Sequence, residues 1–248
     1  MRTQHEIEVW GTVLYIDVTS AVNIEQAITK VNQYVQHVDE VFSTYKVSSV
    51  ISQLRRSEIT IDECEPDVIE VWNLCAYVKD LTDGAFDPWA VAGGFDPSGL
   101  VKGWAADKCA QILQAAGAEH IQVNAAGDLS LRGGFTPDKP WTIGVVNPDN
   151  HLEILQTFEI QDGAIATSGN YERGAHISDP HTGMIAIGAK SATVLGPNGA
   201  IADALATALM VDGRDGAAWF TTPELAEYSA WVIDRHEDLA WSIGPATA

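Results

Sequence analysis

Apolar residues recur along this chain with two different periods, and the changes of period mark out its elements. From Ile24 onward, Ile24, Ala27, Ile28, Val31, Tyr34, Val35, Val38, Val41 and Phe42 follow a 3.6-residue repeat, which predicts a long amphipathic helix. Ahead of it, residues 7–18 are rich in β-branched and aromatic side chains and predict a strand. Pro66 suits a first helical turn, and Val68, Ile69, Trp72, Cys75 and Ala76 share one side of the helix it would open. A third helix is predicted over 102–116, stopped by Gly117. Short extended runs follow at 121–124, 129–131, 141–146, 154–160, 164–167, 184–187 and 192–195, then a helix over 201–211. A closing hairpin is predicted from 230–234 and 239–242. Helices gather early and strands late, which predicts an α+β layout rather than a doubly wound parallel sheet. No linker, repeat or low-complexity stretch divides the chain, so one domain over 1–248 is expected.

Composition narrows the function. At 248 residues and 46% hydrophobic content the chain can bury a substantial core. Its 34 acidic and 14 basic residues give a formal charge of -20, which repels nucleic acid and anionic membranes. A phosphate ligand would need local backbone donors, a lysine or a metal to overcome that field. Cys64, Cys75 and Cys109 form no CxxC pair and read as reduced core residues. No run is long enough to span a membrane, and the first residues show neither an apolar signal core nor a lipidation cysteine. The expectation is a cytoplasmic protein without membrane insertion.

Walker A, GxGxxG and GxSxG motifs are absent, so the chemistry must lie in subtler patterns. Asp203 and Thr207 stand four apart on an otherwise apolar helix and would present a carboxylate and a hydroxyl to one point, as Mg²⁺ prefers. An acidic residue stabilising a helix N-terminus is the alternative. The 96–107 segment, a glycine-containing turn leading into a helix with Lys102 beside it, can hold a phosphate, or can be a helix capped by Asp96 or Ser98. The 82–88 segment reads as a turn around a buried Phe86, and 124–128 as a hairpin corner. His176 lies in a loop region, where a histidine is either solvated or a base.

Taken in order, these segments resemble the ApbE-type FAD:protein FMN transferases. The likeness runs through Trp10-Gly11-Thr12, Phe42-Ser43-Thr44-Tyr45, the serine-rich 49–54 segment, Asp83-Gly84-Ala85-Phe86-Asp87-Pro88 and Lys102-Gly103-Trp104-Ala105-Ala106-Asp107. It continues through Asn124-Ala125-Ala126-Gly127-Asp128, Thr167-Ser168-Gly169-Asn170-Tyr171, the 176–183 segment and Ala202-Asp203-Ala204 to Thr207. The resemblance implies a mixed, largely antiparallel sheet with flanking helices in two closely joined lobes. It implies Mg²⁺ held by Gly99, Asp203 and Thr207, with FAD as substrate. Trp10, Tyr45, Ala85, Phe86, Asp87, Asp96, Lys102, Thr167, Ser168, His176 and Ile177 would surround the flavin nucleotide, with His176 as general base. The implied reaction moves FMN from FAD to a threonine hydroxyl of an acceptor protein and releases AMP.

Two positions depart from the family pattern. Ala126-Gly127 stands where Gly-Gly is common, and Arg55 where the serine-rich motif usually ends in Asn. Arg55 keeps open a hydrolytic alternative, an Mg²⁺-dependent FAD pyrophosphatase. A non-catalytic FAD-binding protein is the other.

Overall fold

The computed structural model describes residues 1–169, 177–235 and 239–245. The expected first strand is a hairpin, β1 (Arg2–Val9) and β2 (Thr12–Ser20). Trp10 and Gly11 make its two-residue turn with φ of 57° and 69°, the left-handed backbone that right-twisted hairpins require. A tryptophan at such a position hid the turn inside an apparently continuous strand pattern. Helix α1 (Glu25–Phe42) buries Ala27, Val31, Val35 and Val38, the face that the periodicity marks. A short helix α2 (Val50–Arg55), not expected from periodicity, is capped by Ser49, whose hydroxyl accepts from the Ser52 amide at 3.0 Å. Helices α3 (Pro66–Leu81) and α4 (Val101–Ala115) follow, the first opened by its proline.

The remaining strands are β3 (Ala118–Ala125), β4 (Asp128–Arg132), β5 (Trp141–Asn147), β6 (Asn150–Ile160), β7 (Gly163–Gly169), β8 (Ala189–Gly196), β9 (Ser229–Asp234) and β10 (Ala240–Ile243). Helix α5 (Gly199–Asp212) joins β8 to the final hairpin. Eight strands form one sheet in the order β1-β2-β3-β4-β7-β8-β9-β10, while β5 and β6 form a separate ribbon. All of these pairings are antiparallel, so the expected lobes share one continuous sheet. The strand expected at 184–187 is reduced to a bridge between Ser178 and Ile185. Its apolar residues Met184, Ile185 and Ile187 are exposed, so nothing buries them into a ladder.

Alternation along β7 and β8 explains the layers. Ala166 and Val194 join Leu205 and Leu209 of α5 in one cluster, with Val71 and Cys75 of α3 and Trp104 of α4. Their neighbours Ile165 and Leu195 face the other way, onto Trp141 and Phe158 of the ribbon. A third cluster packs α1 and α4 on β1–β3 through Val31, Cys109, Leu113 and Ile16. Cys75 and Cys109 are buried and all three cysteines are free. Burial pushes the Cys109 thiol up to about 12, as an inert core group requires.

Helices α4 and α5 meet backbone to backbone. A methyl on Gly103 would stand 2.1 Å from the Gly199 carbonyl oxygen, and one on Gly199 would stand 2.7 Å from that of Gly103. Each helix also caps the other. The Gly103 amide donates to Asp203 Oδ2 at 3.2 Å, and the Gly199 amide donates to Asp107 Oδ2 at 2.6 Å. Asp107 further accepts from Ser130 Oγ at 2.6 Å and from Arg132 Nη2 at 3.0 Å, tying the crossing to β4.

Exchanging an interior helical glycine for alanine ordinarily gains up to about 1 kcal/mol. Gly103→Ala instead loses about 3 kcal/mol, the upper end of an over-packed core, because the clash is with backbone. Denaturant unfolding of the variant measures this directly. A second variant has the opposite sign. Ala126 carries a left-handed φ of 56° in the β3–β4 turn. That backbone costs an L-residue about 1–2 kcal/mol, against about 0.4–1 kcal/mol gained from a stiffer unfolded chain. Ala126→Gly therefore raises stability by a net amount of about 0.5–1 kcal/mol, visible as a thermal midpoint higher by about 1–4 °C.

Candidate active site

A cleft of about 400 Å³ gathers nearly all the expected residues. Asp203 and Thr207 reach it from α5, Gly99 and Lys102 from the turn into α4, and Thr167 and Ser168 from the end of β7. Ala85, Phe86 and Asp87 form one stretch of its lining, joined by Asp96, Ile177 and the exposed ring of Tyr45.

His176 lies outside the described residues, as do Asn170 and Tyr171. Trp10 is not part of the lining; it occupies the β1–β2 turn, partly buried against the clusters around α1 and α4.

The spacing of Asp203 and Thr207 works as expected, and their neighbours come from distant sequence. Thr207 Oγ1 lies 3.3 Å from Ser168 Oγ, and a methyl added to Gly99 would stand 3.0 Å from it. Asp203 is 3% exposed and spends one carboxylate oxygen on the Gly103 amide. It therefore stabilises a helix N-terminus, as the alternative reading had it, but that of α4 rather than its own. The same carboxylate lines the cleft. Lys102 brings the positive charge, and its ammonium pairs with Asp128, whose side chain is almost wholly buried at the start of β4. The expected cap of α4 by Asp96 or Ser98 is not formed: Leu100 is the N-cap and makes no side-chain cap bond. Asp96 instead accepts from the Ser98 amide at 3.0 Å, closing the preceding turn.

The 82–88 turn is a built wall. Thr82 is fully buried; its hydroxyl donates to the Val78 carbonyl at 2.8 Å and accepts from the Phe86 amide at 3.2 Å. Asp87 accepts from the Trp89 amide at 2.9 Å and pairs with Lys79 at 2.7 Å. Phe86 is buried, as a turn around an apolar anchor predicts.

Several lining residues were not anticipated. Val91 carried no signal in the sequence, whereas Thr44, Pro88 and Ser98 belong to segments quoted above without having been named as site residues. Ala126 is more informative: it comes from the β3–β4 turn, which Asn124 Oδ1 holds by accepting from the Gly127 amide at 2.8 Å. The hairpin-corner reading was right, and the corner also borders the cleft.

The donor set suits a hard cation. One buried carboxylate, the Thr207 hydroxyl and the backbone around Gly99 offer oxygen only, with room left for water and a ligand's phosphate oxygens. Among the described residues no group of three or more His, Cys, Asp or Glu side chains could enclose a metal without such help. A site of this kind suits Mg²⁺ shared with a phosphate better than a closed structural metal centre.

Known proteins are similar to this chain in sequence and in fold. The FAD:protein FMN transferase of Vibrio cholerae is 38% identical over 130 residues, 48% of this chain and 39% of that protein. The FAD:protein FMN transferase of Salmonella typhimurium is 33% identical over 157 residues, 55% of this chain and 45% of that one. The chain thus spans less than half the length of the curated relatives it matches. Two solved structures illustrate the shared fold. The ApbE protein of Thermotoga maritima superposes with a TM-score of 0.87 at 23% identity, covering 98% of this chain and 97% of that one. The flavin transferase ApbE of Vibrio cholerae gives 0.84 at 23% identity over 100% of this chain and 98% of that one. A sequence model of the ApbE family matches residues 1–93 and 90–230, and this chain belongs to that family.

Proposed function

We propose that this chain is an FAD:protein FMN transferase, acting on FAD and a threonine-bearing acceptor protein. The observation that carries the reading is the meeting, in one cleft, of Asp203 and Thr207 with Gly99 and Lys102, more than ninety positions away in sequence. Kinship with enzymes named for this activity supports it.

Lys102, whose ammonium Asp128 orients, would hold FAD's diphosphate. Asp203, Thr207 and the backbone of Gly99 would hold Mg²⁺, which supplies charge neutralisation at the phosphates when bound. Ser168 and Thr167 offer hydroxyls to phosphate or ribose, and Phe86 with Ile177 contributes apolar surface. Thr167 is fixed by a 2.9 Å hydrogen bond with Thr193, so its hydroxyl is pre-oriented. The acceptor threonine oxygen bonds to the phosphorus of the FMN half as the bond to AMP breaks. Its proton passes to a base, the role that the family resemblance gives to His176. Such a base contributes about 10²–10⁴-fold.

The hydrolytic alternative drew its support from Arg55. That side chain lies outside the cleft lining and is bonded to the Ala92 and Gly93 carbonyls, so no observation favours water over an acceptor.

Incubation with FAD, Mg²⁺ and a threonine-bearing acceptor is expected to give a fluorescent acceptor band in a denaturing gel together with AMP, both stopped by EDTA. AMP without a labelled acceptor would make the chain a pyrophosphatase, and FAD binding without AMP would make it a carrier. Asp203→Asn keeps an acceptor for the Gly103 amide and is expected to stay within about 1 kcal/mol of the parent while losing Mg²⁺-dependent turnover. Asp203→Ala removes the remote cap as well and costs about 0.5–2 kcal/mol more. Equal activity in Asp203→Asn and parent would remove this carboxylate from the site. His176→Ala is expected to bind FAD and fail to transfer.

A further inference from the structure

Arg55 ends α2 at the point where the serine-rich motif departs from its usual asparagine. Its guanidinium donates through Nε to the Gly93 carbonyl at 2.9 Å and through Nη2 to the Ala92 carbonyl at 2.6 Å. Gly93 is the seat for that fork. Its φ is +90°, and a methyl there would stand 2.3 Å from Arg55 Nη2. Arg55 and Gly93 also line a second, open cavity of about 380 Å³ that shares Thr44 and Tyr45 with the cleft.

The clamped residues are the tip of a loop whose flanks line the cleft. Val91 and Asp96 are both part of the lining. The loop's base is held by the rings of Trp72, Trp89 and Phe95, whose centroids lie 4.6–5.1 Å apart. Backbone bonds run from the Gly94 amide to the Val91 carbonyl at 3.0 Å and from the Asp96 amide to the Pro88 carbonyl at 2.9 Å. At the tip, Ala92 and Gly93 are exposed and lack packing of that kind.

We infer that Arg55 is a positioning residue: by bridging two successive carbonyls it fixes the 91–94 turn, and with it the wall of the cleft that carries Val91 and Asp96. The role requires a planar fork on a charged group. Lysine gathers its three donors on one nitrogen and lacks the planar fork that places separate nitrogens on the two carbonyls. The clamp stands on the hydrogen bonds alone, whereas its consequence for FAD rests on the reading of the cleft given above.

Hydrogen exchange, with no flavin present, tests the clamp. Exchange at the Gly94 and Asp96 amides is expected to quicken on the order of tenfold in Arg55→Ala, with Arg55→Lys in between. Gly93→Ala, which evicts the guanidinium, is expected to match Arg55→Ala. FAD affinity, read by flavin fluorescence and as KM, is expected to weaken on the order of tenfold in both, with kcat within about twofold. Unchanged exchange in Arg55→Ala would overturn the clamp. Faster exchange with unaltered FAD affinity would overturn its reach into the site, and a fall in kcat alone would make Arg55 a catalytic residue instead. A parent protein that binds FAD without transferring it would sink the transferase reading while leaving the exchange and affinity results decisive for the clamp.

Discussion

The backbone contact between α4 and α5 is the constraint on which this molecule depends. Two glycines let the helices approach until each would-be Cβ meets the other's carbonyl, and two aspartates then cap the opposed helix. Burying a carboxylate without partners costs several kcal/mol, so these positions are stable only while the crossing is intact. Asp107 answers that cost with hydrogen bonds from Gly199, Ser130 and Arg132, which makes it a structural member of the lysine-containing motif. Asp203 caps one helix and also lines the cleft, so one residue ties the packing to the cleft wall.

The same crossing concentrates polar groups in one cleft of a protein of charge -20. It sets the Lys102 turn against α5, so an ammonium-bearing residue and the carboxylate and hydroxyl residues Asp203 and Thr207 line one cleft. The Asp128 partner keeps the ammonium from swinging into solvent. The cleft walls are fixed by separate devices: a buried threonine under the 82–86 turn, a Lys79–Asp87 pair, and an arginine fork at 92–93. Bulk charge then governs what the surface repels, while a few fixed groups govern what the cleft accepts.

Much of the fold was legible because burial on one face leaves a period. Helix α1, the proline start of α3, the glycine stop of α4 and most later strands appear where periodicity puts them. The first strand failed as a single element because Trp10 occupies a left-handed position that sequence gives mostly to Asn, Asp or Gly. The 184–187 run failed because apolar residues there stay exposed, and hydrophobicity without a partner strand makes no ladder. Among site residues the i and i+4 pair on α5 was readable, since one helix turn settles its geometry. The placement of Trp10 in a hairpin turn outside the cleft lining was not, because its left-handed backbone leaves no mark in the residue pattern.

Local sequence thus determined the amphipathic faces, the helix ends, the reduced state of buried cysteines and the pairing of Asp203 with Thr207. Each depends on residues within a few turns of one another. Tertiary structure alone decided that Asp203 caps α4, that Asp128 holds Lys102, that Ser168 meets Thr207 and that Arg55 grips Ala92 and Gly93. Those contacts join segments from 26 to 100 residues apart, or about 38 in the case of the arginine. No local propensity encodes them; they exist because packing brings the segments to one place.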